Sequence, residues 1–344
     1  MMDQQKRLFQ LAKQLYEEKF WDEYLKSDLI AIQLGNRKEP IIISVLGENE
    51  QNYGFLFYRN VEDLATFFET NIGEKLQKFR PMLDIIPFQN CLSLEFENKK
   101  AISKEEHQLI EMSGVTFRGK KSYPIFVDYY PGYYPSIIDK LEIPLLIEVM
   151  EKLIETAKDF EEKLTFYKEK KTESEILIRT YQKNGEYIDG LLSLPERIVI
   201  GKPLLKETTP ILLTKFEMRR VENQKFGSAI WEIDIDFVNS PIAPPDGERP
   251  YFPLVLLIVD SESNEIICSE FVKPGDSEAI QRVFMQLVLS GNKKPPKIVV
   301  DINQYNLVAR YLKELLVCLE IELVPIRKLP MISVFKKNML EYLR

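Results

Sequence analysis

A single histidine, His107, stands among 344 residues, and its isolation removes whole classes of chemistry. Nucleophilic catalysis of the Ser-His-Asp or Cys-His kind would have to run through that one imidazole. His107 lies in "SKEEHQLIEM" among charged helical neighbours, with Ser103 and Glu106 at capping-box spacing, and reads as part of a solvated helix face. Imidazole metal sites are excluded with it. Any metal would rest on carboxylates, which favours Mg2+ or Mn2+.

Cysteine is nearly as scarce. Cys91, Cys268 and Cys318 are far apart, odd in number and set in apolar stretches, so they form neither a disulfide framework nor a zinc-ligand spacing and read as small core side chains. The 14 glycines stand mostly alone at turns, and neither GxxxxGK[ST] nor GxGxxG occurs, which removes the familiar phosphate loops. The longest apolar run, "FPLVLLIV", falls well short of the roughly 20 residues that cross a bilayer. The opening "MMDQQKRLFQLAKQLYEEKF" is an amphipathic helix carrying acids, unlike a signal or transit peptide. A cytoplasmic protein with no membrane partner is expected.

What is present describes a folded protein. The chain is 45% hydrophobic, 11% aromatic and 29% charged, a globular composition, and its length exceeds what one core usually supports. The net charge is -7, yet from Gly291 onward ten Lys or Arg face five Asp or Glu, grouped as "NKKPPK", "IRK" and "FKKN". This leaves open a modest basic surface for a nucleic acid, although the aromatic interleaving of single-strand binders is missing.

Along the chain, "LIAIQLGNRKEPIIISVLG" and "NYGFLFY" predict an antiparallel meander after the opening helix, and Asn60 is placed to cap "VEDLATFFET". Residues 123–144 hold five tyrosines and four prolines, either as the wall of a ligand groove or as an ordered connection. A long helix follows from Pro144, and its basic, polar end near Lys171 sets the expected boundary: an N-terminal α+β domain over 1–170 and a C-terminal α/β domain over 171–344, best defined over 246–344. In "IWEIDIDFV", Trp231, Ile233, Ile235 and Phe237 alternate with Glu232, Asp234 and Asp236. The acids are expected on a wet outer face, with metal binding as the alternative reading. The last hundred residues predict the order ββαβαβα, with a hairpin of 251–260 and 264–272 and a βαβ crossover.

That order resembles the ribonuclease H-like fold of nucleases, integrases and transposases over the final third of the chain. The fold class expected is therefore α/β: an α+β first domain with an antiparallel meander, and a ribonuclease H-like mixed sheet flanked by helices. The resemblance implies carboxylates at strand ends holding two Mg2+ ions for phosphodiester cleavage. By position the pair would be Asp260, after "LLIV", and Asp301, after "KIVV", completed by Glu278 and Glu341. If "IWEIDIDFV" is instead the first strand, the role passes to Asp234 or Asp236 and Asp260 is left at a turn. Over most of its length, through "LAKQLYEEKFWDEYLKSDLIAIQL", "CLSLEFEN", "FRGKKSYPIFVDYYPGYYP", "PYFPLVLLIVD" and "KIVVDINQYNLVARYLKELLVCLEIELVPI", the chain also resembles an uncharacterised bacterial family with two adjacent domains of unknown function. The expectation is a binding protein, with a protein or nucleic-acid partner and no cofactor, whose second domain is a degenerate relative of that fold. The alternative is a nuclease using Asp260 and Asp301 with Mg2+ or Mn2+.

Overall fold

Residues 2–47, 52–75, 85–170, 172, 174–201, 208–291 and 293–335 are described by the protein's structure, a computed structural model. The chain divides into two compact units, Met1–Pro131 with Pro135–Leu204, and Gly132–Tyr134 with Leu205–Arg344. No helix among the described residues is long and apolar enough to cross a membrane.

In the first unit, α1 (Met2–Glu18) presents Leu8, Leu11, Ala12 and Leu15 to the core, at the spacing that puts them on one helical stripe. The meander is β1 (Ile30–Gln33), β2 (Ile41–Leu46) and β3 (Tyr53–Tyr58), all antiparallel. After β3 the side-chain oxygen of Asn60 accepts the N–H groups of Glu62 and Asp63, covering donors that a helix start leaves open, and α2 (Leu64–Lys75) follows. Next come β4 (Cys91–Glu97), α3 (Lys104–Ser113) with its Ser103–Glu106 capping box, β5 (Tyr123–Tyr129), β6 (Ser136–Ile137) and the long α4 (Ile143–Lys170).

The boundary expected at residue 171 is corrected. Beyond α4 the chain returns to the first sheet as β7 (Glu175–Tyr181), parallel to β1, and β8 (Tyr187–Ser193) lies outside it, so the sheet runs β6-β5-β4-β3-β2-β1-β7-β8. The cause is burial. Ile176 and Leu177 go to opposite faces of this sheet, one into each of its two apolar clusters, and a strand that is apolar on both sides needs cover on both. Arg179 on β7 is fully buried and meets Asp189, directly opposite on β8, through its Nε and Nη2, while Nη1 pairs with Asp159 at 2.8 Å. The short helix α5 (Glu196–Val199) ends this unit's regular structure, its Ile198 in the second cluster.

The second unit has one five-stranded sheet in the order β11-β10-β9-β12-β13. β9 (Ile230–Phe237), β10 (Leu254–Asp260) and β11 (Glu265–Val272) form an antiparallel meander, and β12 (Lys297–Asp301) and β13 (Glu322–Ile326) run parallel to β9. Helix α6 (Lys215–Glu222) precedes the sheet, α7 (Ser277–Ser290) joins β11 to β12, and α8 (Tyr305–Cys318) joins β12 to β13. Over the last hundred residues the order is ββαβαβ followed by the helical residues 330–335, as expected, and β9 adds a third strand in front of it. The resulting order is ribonuclease H-like, with "IWEIDIDF" as its first strand. One face, with Ile233, Ile235, Leu256, Ile258, Ile298 and Val300, is covered by α7 and α8. The other, with Leu257 and Val259, is covered by Leu329 and Ile332, where residues 330–335 are helical.

The tyrosine- and proline-rich segment is divided. Gly132–Tyr134 belongs to the second unit, where Phe252 donates its N–H to the Gly132 carbonyl and Tyr134 donates to the Pro250 carbonyl, both at 2.8 Å. Gly132 has φ 83°, and a Cβ there would stand 2.5 Å from Pro274 Cβ. Only glycine fits. The cysteine expectation also needs one correction, because Cys91 and Cys268 are buried but Cys318, at the end of α8, is exposed.

Candidate functional site

The strand register decides which carboxylates of the second unit can meet. Asp260 ends β10 opposite Trp231, the second residue of β9. On β12, Val300 pairs with Ile233, so extending the parallel register by one residue sets Asp301 beside Asp234. Between Asp260 and Asp301 there are two strand spacings and three residues of rise, a Cα separation of roughly 14 Å. The faces differ too. Asp260 shares the face of Trp231, under α7 and α8, whereas Asp301 follows Val300 of that face and so lies on the opposite one. The structure does not bring Asp260 and Asp301 together. Shared ions roughly 4 Å apart are out of their reach.

Each of these aspartates has a local task. Asp260 Oδ1 accepts the N–H of Glu262 at 2.8 Å and of Ser263 at 3.2 Å, holding the turn of the β10–β11 hairpin. Asp301 Oδ1 accepts the N–H of Asn303 at 2.8 Å and shapes the turn into α8. Glu278 is half-exposed on α7 and ion-paired with Arg282 at 2.6 Å, and Arg282 also holds Glu217 of α6. Hydrogen bonding to Glu278, then the charges of Glu217 and Glu278, raise the Arg282 pKa above its ordinary value. Since α7 covers the face of Trp231, Glu278 is on the side of the sheet away from Asp301. Glu341 lies outside the described residues.

The pairing that does occur is between β9 and β12. Glu232 and Asp234 alternate with Ile233 and Ile235, so they point to the face of Leu257, Val259 and Val299. That face was expected to be wet. It is covered instead, with Glu232 3% and Asp234 2% exposed. Glu232 Oε2 accepts the N–H groups of Met331 at 3.2 Å and Ile332 at 3.1 Å, so the buried carboxylate caps the first turn of the helical segment that covers it. A negative charge at that place offsets two unpaired donors and the positive end of the helix dipole. Asp236, further along the same alternation, is half-buried and accepts the N–H of Phe237. Among the described residues no group of three or more His, Cys, Asp or Glu side chains could hold a metal ion.

Two family models match the chain. A family model described as "Domain of unknown function (DUF7309)" matches residues 6–179, half of the chain, and one described as "Domain of unknown function (DUF6930)" matches residues 217–340. No curated protein matches the chain. Among solved structures it is similar to the HTLV-2 integrase catalytic core domain in complex with magnesium. The dimeric form shows 18% identity over 34% of this chain and 73% of that one, with a TM-score of 0.24. For the trimeric form the identity is 18%, the coverage 34% and 72%, and the TM-score 0.25.

Proposed function

Because the chain belongs to the family described as Domain of unknown function (DUF7309), no activity comes with its membership, and we propose from the second unit's geometry that it is a cytoplasmic binding protein without nuclease activity. The observation that carries this reading is the cover over the first-strand acids. A phosphodiesterase needs its carboxylates open to metal, water and phosphate, whereas Asp234 is 2% exposed and Glu232 is engaged by the backbone of residues 331 and 332. Removing that cover would leave two helix N–H donors and an apolar face without partners.

A second reading keeps its own support. The register sets Asp234 of β9 beside Asp301 of β12 on one face, the arrangement in which two carboxylates could share a Mg2+ or Mn2+ ion. Incubation of the full chain with either metal and single- or double-stranded DNA or RNA separates the two. The binding reading predicts identical substrate patterns for wild type, Asp234→Asn and Asp301→Asn. Metal-dependent cleavage by wild type that both substitutions abolish would replace it with the nuclease.

A further inference from the structure

The other end of the second sheet holds a feature that the strand-end acids do not explain. Where β9 begins and β10 ends, a cavity of about 450 Å³ opens between the sheet and the last turn of α7. That volume is in the range of small-molecule sites. Its apolar wall includes Trp231, Ile267 and Leu287, and its polar rim includes Asp260, Lys293 and Lys294. The lysines come from "NKKPPK", the first basic cluster of the C-terminal third.

Lys294 is the anomaly. It is 4% exposed, and no carboxylate among the described residues is within ion-pairing distance of it; its ammonium has only the face of Phe226, 4.4 Å from the ring centroid. Burial of a cation is costly unless an anion or several acceptors face it, and one exposed aromatic ring offsets little of that cost. The backbone fixes the lysine in place, because Lys294 donates its N–H to the Lys225 carbonyl and accepts from Gly227 N–H. Lys293 beside it is exposed at the cavity mouth. Asp260, which also lines the cavity, has Oδ1 occupied by two backbone N–H groups and still repels a second negative charge. A ligand that satisfies all of this carries its charge at one end only.

We propose that this cavity binds a small organic anion, with its phosphate or carboxylate at Lys293 and Lys294, its apolar body against Trp231 and Leu287, and a neutral or hydrogen-bond-donating end toward Asp260. The inference rests on the binding reading and gives it a ligand class. The site is on the opposite face and at the opposite end of the sheet from Asp301, so it is separate from the pair Asp234 and Asp301.

The test titrates the full chain with 1-naphthyl phosphate, with uncharged 1-naphthol as control, by ligand-observed NMR. The expected result is saturable binding of the phosphate at about 1 mM or below, with naphthol much weaker. Lys294→Met should weaken phosphate binding by about tenfold or more. Its thermal transition should be unchanged or raised, because the variant exchanges an unpaired buried cation for a side chain of similar volume. Ser290→Trp, which fills the mouth from an exposed position, should block binding without touching a lysine. Equal affinity for phosphate and naphthol, no binding to the folded wild type, or unchanged binding in both variants would overturn the proposal. Cleavage that depends on Asp234 would remove the binding-only reading, and the titration would still judge the anion site by itself.

Discussion

Glu232 does more for the second unit than a surface acid could. Its carboxylate takes one buried and one partly buried backbone donor, and hydrogen bonds to a charged group contribute about 1.5–3 kcal/mol. Glu232→Gln keeps one acceptor and loses the charge, so it should lower the stability of the second unit by about 1–2 kcal/mol in urea unfolding followed by Trp231 fluorescence. An unchanged midpoint would contradict the capping role. Arg179 makes the same argument in the first unit. Burial opposes its charge, but hydrogen bonds to Asp189 and Asp159 outweigh that and hold its pKa above the ordinary value. Arg179→Met removes both close hydrogen bonds to Asp189, leaving it only Lys163 at 3.6 Å, and should cost about 3 kcal/mol.

The cysteines give a prediction with a pH sign. Burial, then the charge of Glu270, pushes the Cys268 thiol from 9.0 up to about 11, and burial raises Cys91 further, whereas Cys318 is exposed. One thiol per chain should react with Ellman's reagent in the native protein at pH 8, and three after denaturation. In the unfolded chain the Cys268 thiol ionises first, so the unfolded state holds fewer protons than the native one above pH 9. Its contribution to stability is complete below that pH and is lost as pH rises toward about 11. A native count of three reactive thiols would contradict the burial.

At the scale of elements, β9 decides how the second unit is read. Its alternation was legible, and it placed Ile233 and Ile235 inside correctly. What lies over its other face was not. The N–H groups that meet Glu232 come from residues 99 and 100 positions away, and an alternating strand looks the same whether water or a helix covers its acids. For the same reason the pairing of Asp301 was open, since a one-strand change in the order moves its neighbour from Asp260 to Asp234. Asp260 itself was legible as a turn residue from "DSESN". The lone buried Lys294 had only the signal of "NKKPPK", which a solvated loop would share. The β5–β6 connection depends on a position of another kind: Gly132→Ala forces a Cβ into Pro274 at positive φ and should destabilise the second unit by about 1–3 kcal/mol in the same urea experiment.

For the whole molecule, the number of units was readable from length, but their limits were not. The stretch near Lys171 has the polarity of a linker, yet β7 and β8 behind it complete the first sheet, and Gly132–Tyr134 belongs to the second unit from within the first one's sequence. Parallel pairing of β1 with β7 joins residues about 147 positions apart, as Ile30 with Leu177. No local pattern carries that information. The functional features belong to the second, five-stranded sheet. The first-strand acids are enclosed on one face, and an unpaired lysine lines a cavity on the other.

The central claim is that the acids of β9 serve the fold rather than a metal, and a Mn2+ titration of the full chain, read by water-proton relaxation, tests it most directly. The account predicts no site that binds Mn2+ in the micromolar range and vanishes in both Asp234→Asn and Asp301→Asn. One or two such sites, lost together in those variants while the fold is kept, would contradict it.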